Sequence, residues 1–144
     1  MKVTIEQEVS AQRIADVLVT AFEGGSNYWY ASDGFEKNLK ASEAISKGND
    51  NYESGVPWWG LLANRIQDES INLPIYDIES VCSWDDASNW DLLGRITTAS
   101  ISMAIKTMAE LYPVHFSDMM NDKYDGDTAD VFLQLCTMQD VVFG

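Results

Sequence analysis

Apolar positions recur at helical spacing near both ends of the chain and alternate with polar ones in its middle. Residues 10–23 (SAQRIADVLVTAFE) put Ile14, Val17, Leu18, Ala21 and Phe22 on one helix face, and Ser10 stands where an N-cap is needed. Gly24-Gly25 follows and predicts the helix end, because glycine enters the left-handed conformation without a Cβ clash. Tyr28-Trp29-Tyr30 then favours a short extended segment. Residues 31–60 lose the pattern: Ser32-Asp33-Gly34 signals a turn, and 41–55 are polar with scattered Gly, Asn and Ser. This stretch is expected to be a long loop or excursion from the core with at most a helical turn or two. Leu61, Leu62 and Ile66 mark a short helix after it.

From Leu73 the spacing changes to alternation. IYDIESVCSW reads as a strand, 85–89 as a turn and 90–97 as a returning strand, together a hairpin with its acids on the solvent face. The C-terminal third returns to helical spacing. Thr97 or Thr98 can cap a helix with Ile101, Ala104, Ile105, Met108, Leu111 and Tyr112 in its apolar stripe. Pro113 can end that helix or start another. After the polar turn NDKYDGD, Asp127 or Thr128 is expected to cap a last helix with Val131, Phe132, Leu135 and Cys136 inward. The expected fold class is α+β: amphipathic helices packed on a small antiparallel sheet, one domain over residues 1–144.

Charge narrows the functional classes. Against 9 Lys+Arg the chain has 23 Asp+Glu, a formal charge of −14. Such a chain cannot displace the cations condensed on a nucleic acid, so direct nucleic-acid binding is not expected. An anionic membrane surface is disfavoured for the same reason. No stretch approaches the ~18 apolar residues of a membrane span. The N-terminal MKVTIEQEVSAQRIADVLV lacks the apolar run and cleavage site of a secretory signal, so a cytoplasmic location is expected. Cys82 and Cys136 are then two reduced thiols rather than a disulfide.

Catalytic equipment is sparse. Setting Gly126 at position 6 of a calcium loop puts Lys123 at a ligand position and Phe132 at the clamp, and both fail. Zinc needs closely spaced Cys and His, whereas His115, Cys82 and Cys136 are isolated. There is no Gly-x-Ser-x-Gly and no glycine-rich phosphate loop. With 23 acids, adjacent carboxylates such as Asp85-Asp86 arise by chance. No cofactor, no metal and no enzymatic activity are expected.

Two features point to a partner. Tyr28, Trp29, Tyr30, Trp58 and Trp59 fall in runs whose neighbours, if extended, cannot all face inward, so some aromatic surface is expected at an interface. The acids are also unevenly spread: Asp77, Glu79, Asp85, Asp86 and Asp91 lie on the hairpin, and Asp118, Asp122, Asp125, Asp127 and Asp130 around the last turn. A solvated acidic face is the plain explanation. The sharper one is a rigid carboxylate array that imitates a phosphate backbone and docks in the basic groove of a nucleic-acid-binding protein.

The segment Ala21-Phe22-Glu23-Gly24-Gly25-Ser26-Asn27-Tyr28-Trp29 resembles one found in uncharacterised small acidic proteins of tailed bacteriophages and prophages. Thr128-Ala129-Asp130-Val131-Phe132-Leu133-Gln134-Leu135-Cys136 is similar to their C-terminal helix, and Met108-Ala109-Glu110-Leu111-Tyr112-Pro113 with His115-Phe116 fits the same pattern. The resemblance implies a phage gene product acting in a bacterial cytoplasm and transfers no site residues. The expectation is a non-enzymatic inhibitor or anti-defence protein that binds a basic, nucleic-acid-handling host protein of restriction or CRISPR type. The alternative is a structural or accessory phage protein that self-associates as a homo-oligomer through its aromatic surfaces.

Overall fold

The computed structural model describes the backbone of residues 1–46 and 55–144, and the side chains of 1–41 and 55–144. Among the described residues, six helices and a three-stranded antiparallel sheet make an α+β arrangement. Helix α1 (Ala11–Thr20) begins where Ser10 accepts the Arg13 N–H at 3.1 Å. Its apolar face of Ile14, Val17 and Leu18 is buried. Instead of stopping, the helix widens into one π turn, Ala21–Gly25. Glycine is needed there: a Cβ on Gly25 would lie 2.5 Å from the Gly126 carbonyl oxygen, so the two backbones touch.

Strand β1 (Tyr30–Ala31) is only two residues long, with Tyr28 and Trp29 in the preceding turn. The stretch read as an excursion instead carries α2 (Phe35–Ser46) and the start of α3 (Trp58–Gln67); residues 47–54 lie outside the described residues. Its polar look is that of a surface helix with a narrow buried stripe. Leu39 is fully buried and Phe35 stacks on Trp58 at 4.6 Å. Outside, Lys37 pairs with Asp33 and Lys40 with Glu36, the i,i+4 spacing that supports exposed helices.

Strands β2 (Asn72–Asp77) and β3 (Leu92–Thr97) form the expected hairpin, with the sheet order β1-β2-β3. The pairing runs from Asn72 opposite Thr97 to Ile75 opposite Gly94, then slips so that Tyr76 faces Leu92. Strand β2 thus starts and ends earlier than alternation alone suggested, and Ile78–Ser80 turn as a short 3-10 helix. Pro74 is tolerated in the middle strand because β1 covers only Tyr76 and Asp77.

Thr97 caps α4 (Thr98–Leu111) through a reciprocal box with Ser100. The stripe of α4 buries Ile101, Ala104 and Met108, but Leu111 at its last position is exposed. Pro113 opens α5 (Pro113–Met120), where its missing N–H costs nothing. The cap of α6 (Gly126–Met138) is Asp125, not Asp127 or Thr128: its carboxylate accepts the Thr128 N–H at 3.0 Å. The Thr128 side chain turns inward, where its hydroxyl meets His115 Nδ1 at 2.8 Å. Helix α6 is the core helix. It buries Phe132, Leu133, Leu135 and Cys136 together with Gln134 and Thr137, and it packs on the sheet and on α4. Burying a side chain such as Leu or Phe is worth about 1.5–3 kcal/mol, so this helix supplies much of the hydrophobic stabilisation.

Candidate functional site

The region where charge and exposed aromatic surface coincide is the connection from β2 to β3, residues 78–91. It is long for a hairpin, yet tied down at many points. The Ser80 hydroxyl donates to the Asp77 carbonyl at 2.7 Å and accepts the Asp91 N–H at 2.8 Å. The Asp77 N–H donates to the Asp91 carbonyl at 2.9 Å, closing the base of the loop. Ile78 N–H donates to the Trp29 carbonyl at 3.0 Å and anchors the 3-10 turn beside β1. Trp90 is buried, its indole N–H donating to the Ser83 carbonyl at 3.2 Å. Tyr76 and Trp84 pack edge-on against it at 5.6 and 5.5 Å. Trp84 itself remains 66% exposed.

This connection carries a dense charge of one sign. Between Arg65 and Arg95 the sequence has Asp68, Glu69, Asp77, Glu79, Asp85, Asp86 and Asp91 and no base. Asp77 is half-buried, and its carboxylate caps the 3-10 turn through the Glu79 N–H. Glu79, Asp85, Asp86 and Asp91 are exposed. The Ser88 hydroxyl and backbone N–H hold the Asp86 carboxyl below the ordinary carboxylate range, keeping it ionised at neutral pH.

The acids around the last turn are differently employed. Asp130 takes four donors: the Ser26 hydroxyl and Trp29 indole at 2.7 Å on one oxygen, the Tyr28 hydroxyl at 2.5 Å and Gln134 amide at 3.2 Å on the other. Gln134 extends the network by accepting the N–H groups of Val142 and Phe143, both at 2.8 Å. Phe143 then stacks on Trp29 at 5.4 Å. Asp122 pairs with Arg13 at 3.2 Å. The Thr128 backbone N–H lowers the pKa of Asp125 as it caps α6. Asp127 is exposed in the first turn of that helix, and Asp118 is half-buried on α5. Asp130 and Asp125 therefore hold the fold, whereas the hairpin acids mostly face outward.

The aromatic candidates divide in the same way. Trp29 and Tyr30 are 2% and 9% exposed, so neither projects from the surface as an exposed ring. Tyr30 donates its hydroxyl to the Phe22 carbonyl at 2.5 Å and packs on that ring. Burial raises its pKa to about 12, with Glu23 adding to the effect. Trp58 is half-buried against Phe35, while Tyr28 and Trp59 are about half exposed. Among the described residues no group of three His, Cys, Asp or Glu side chains is placed to hold a metal ion. Cys82 is exposed and Cys136 buried, both as free thiols, and burial pushes the Cys136 thiol up.

A cavity of about 290 Å³ opens beside the connection, between Asn27, Tyr30, Ser32, Phe35, Ile78 and Trp84. Of these only Tyr30 belonged to the set expected from sequence. No sequence signal singled out Trp84, since the run SWDDASNWD holds both Trp84 and Trp90 and Trp90 is buried. Asn27, Ser32 and Phe35 lie within five residues of Tyr30 in the chain, whereas Ile78 and Trp84 join through tertiary contact. Comparison with protein-family models, curated proteins and solved structures finds no match. No helix among the described residues is long and apolar enough to cross a membrane.

Proposed function

We propose that this protein is a non-catalytic inhibitor that docks on a basic, nucleic-acid-handling protein of a bacterial host, of the restriction or CRISPR type. The observation that carries this reading is the β2–β3 connection. It presents Glu79, Asp85, Asp86 and Asp91 on a hydrogen-bonded loop with an exposed Trp84 and no base nearby in sequence. Carboxylates held in place by a scaffold complement a cationic groove at lower ordering cost than carboxylates on a floppy tail. An exposed tryptophan beside them supplies the desolvated anchor that charge alone does not. The resemblance to phage proteins supplies the cellular setting. Among the described residues, self-association through aromatic faces is left with Tyr28, Trp59 and Trp84 as exposed rings.

The test is capture from bacterial lysate on the tagged protein, eluted along a salt gradient and identified by mass spectrometry. A basic nucleic-acid-handling protein is expected to release at moderate salt. The Asp85→Lys/Asp86→Lys variant is expected to lose roughly tenfold or more in affinity for it. Both positions are exposed, so the fold should survive the change. Unaltered affinity in that variant would sink the charge-mimic reading.

A further inference from the structure

We propose that the cavity beside the acidic connection receives an arginine side chain of the partner. The inference rests on the reading above and adds the recognition chemistry. At about 290 Å³ the cavity is at or below the small end of ligand pockets, sized for one long side chain rather than a cofactor. Its walls are aromatic: Tyr30, Phe35 and the two-thirds-exposed Trp84 all line it. Tyr30 has its hydroxyl committed to the Phe22 carbonyl, so its ring rather than its phenol is available to the cavity. Phe22, Phe35 and Trp58 pack behind it with centroids 4.6 Å apart in each successive pair, which makes that wall stiff. Trp84 is braced by the buried Trp90.

The chain next to the lining residues carries the matching sign of charge. Asp77 and Glu79 flank Ile78 in the chain, and Asp85 follows Trp84. The neighbouring Asp33 is already engaged, with Lys37 at 3.0 Å and the Asn38 amide at 2.7 Å. A flat cation that stacks on rings and gives several hydrogen bonds suits such a place. Arginine is that cation: its guanidinium is planar, weakly hydrated and donates in five directions, whereas a lysine ammonium holds its water tightly. Asn27 and Ser32, whose side chains carry acceptor oxygens, belong to the lining, and the Ser32 hydroxyl already accepts the Gly34 N–H at 3.1 Å.

The experiment uses the full chain and two labelled probes, nona-arginine and nona-lysine, followed by fluorescence anisotropy. Wild type is expected to prefer nona-arginine by about fivefold. Trp84→Ala should erase that preference, and Trp84→Phe should keep part of it. Because Trp84 is exposed, neither change threatens folding. Equal affinity of wild type for the two peptides, or a preference that survives Trp84→Ala, would overturn the arginine site. In that event Asp85→Asn/Asp86→Asn should still weaken both peptides if the acidic face binds cations. Failure of both peptides to bind wild type at low salt would instead overturn the site and the acidic-face reading together.

Discussion

Four donors converge on Asp130, and three of them, Ser26, Tyr28 and Trp29, come from the turn that leads into β1. One carboxylate thereby joins α6 to the start of the sheet and, through Gln134, to the segment around Phe143. Hydrogen bonds to an ionised group are roughly twice as strong as neutral ones, so the link is strong in spite of its partial burial. Tyr30 shows the same economy at a buried position. Its hydroxyl is satisfied, and its pKa stands at about 12 because burial penalises the phenolate, with Glu23 adding to the effect. A folded pKa above the unfolded value of about 10 contributes stability that is full below pH 10. That contribution is lost as pH rises from about 10 towards 12, because the unfolded chain releases its proton first. A shift of this size is worth on the order of 2–3 kcal/mol. Thermal melts of wild type and Tyr30→Phe across this range should diverge. Wild type is expected to lose stability more steeply, and equal slopes would show that Tyr30 does not titrate with folding.

At the level of elements, the contact that fixes the sheet against the core is backbone on backbone. A Cβ on Gly94 of β3 would lie 2.0 Å from the Thr137 carbonyl oxygen of α6, with no flexible side chain to yield. Gly94→Ala is expected to cost at least about 3 kcal/mol by forcing strand and helix apart. Gly24→Ala makes the contrast, since nothing lies within 4 Å of its Cβ position. It should be neutral or slightly stabilising. Denaturant melts of the pair measure the difference, and equal midpoints would refute the close packing. Such approaches cannot be read from periodicity. Ser10, the stripe Ile101-Ala104-Met108 and the β2–β3 hairpin were readable because cap, helix and strand signals are local. Helix α2 was not, because among its described side chains Leu39 and Phe35 give too thin a stripe to outweigh the polar ones around them. The acids of the hairpin were visible as a count of charges. That Asp130 serves the fold depends on donors more than 100 residues away in the chain, Ser26, Tyr28 and Trp29, whereas the Asp125 cap on Thr128 is a local contact.

For the molecule as a whole, a formal charge of −14 on 144 residues acts on folding and binding in opposite directions. Folding gathers the carboxylates, and few of the described ion pairs offset them: Arg13 with Asp122, Lys37 with Asp33, Lys40 with Glu36 and Arg65 with Asp68. The first three are largely exposed, where an ion pair is worth about 1 kcal/mol or less. Self-repulsion among the remaining acids therefore destabilises the compact state. At ~0.01 M salt the screening length is about 30 Å, and at ~0.1 M about 10 Å, so added salt should relieve that repulsion first. The melting temperature is expected to rise by several degrees between these concentrations, with no change in the cooperativity of unfolding. Over the same range, affinity for a basic partner should fall, because that attraction is screened by the same ions. Measuring both on one preparation separates charge that serves recognition from charge that merely solvates. A melting temperature that climbs while affinity holds constant would mean that the acids burden the fold without steering anything to it.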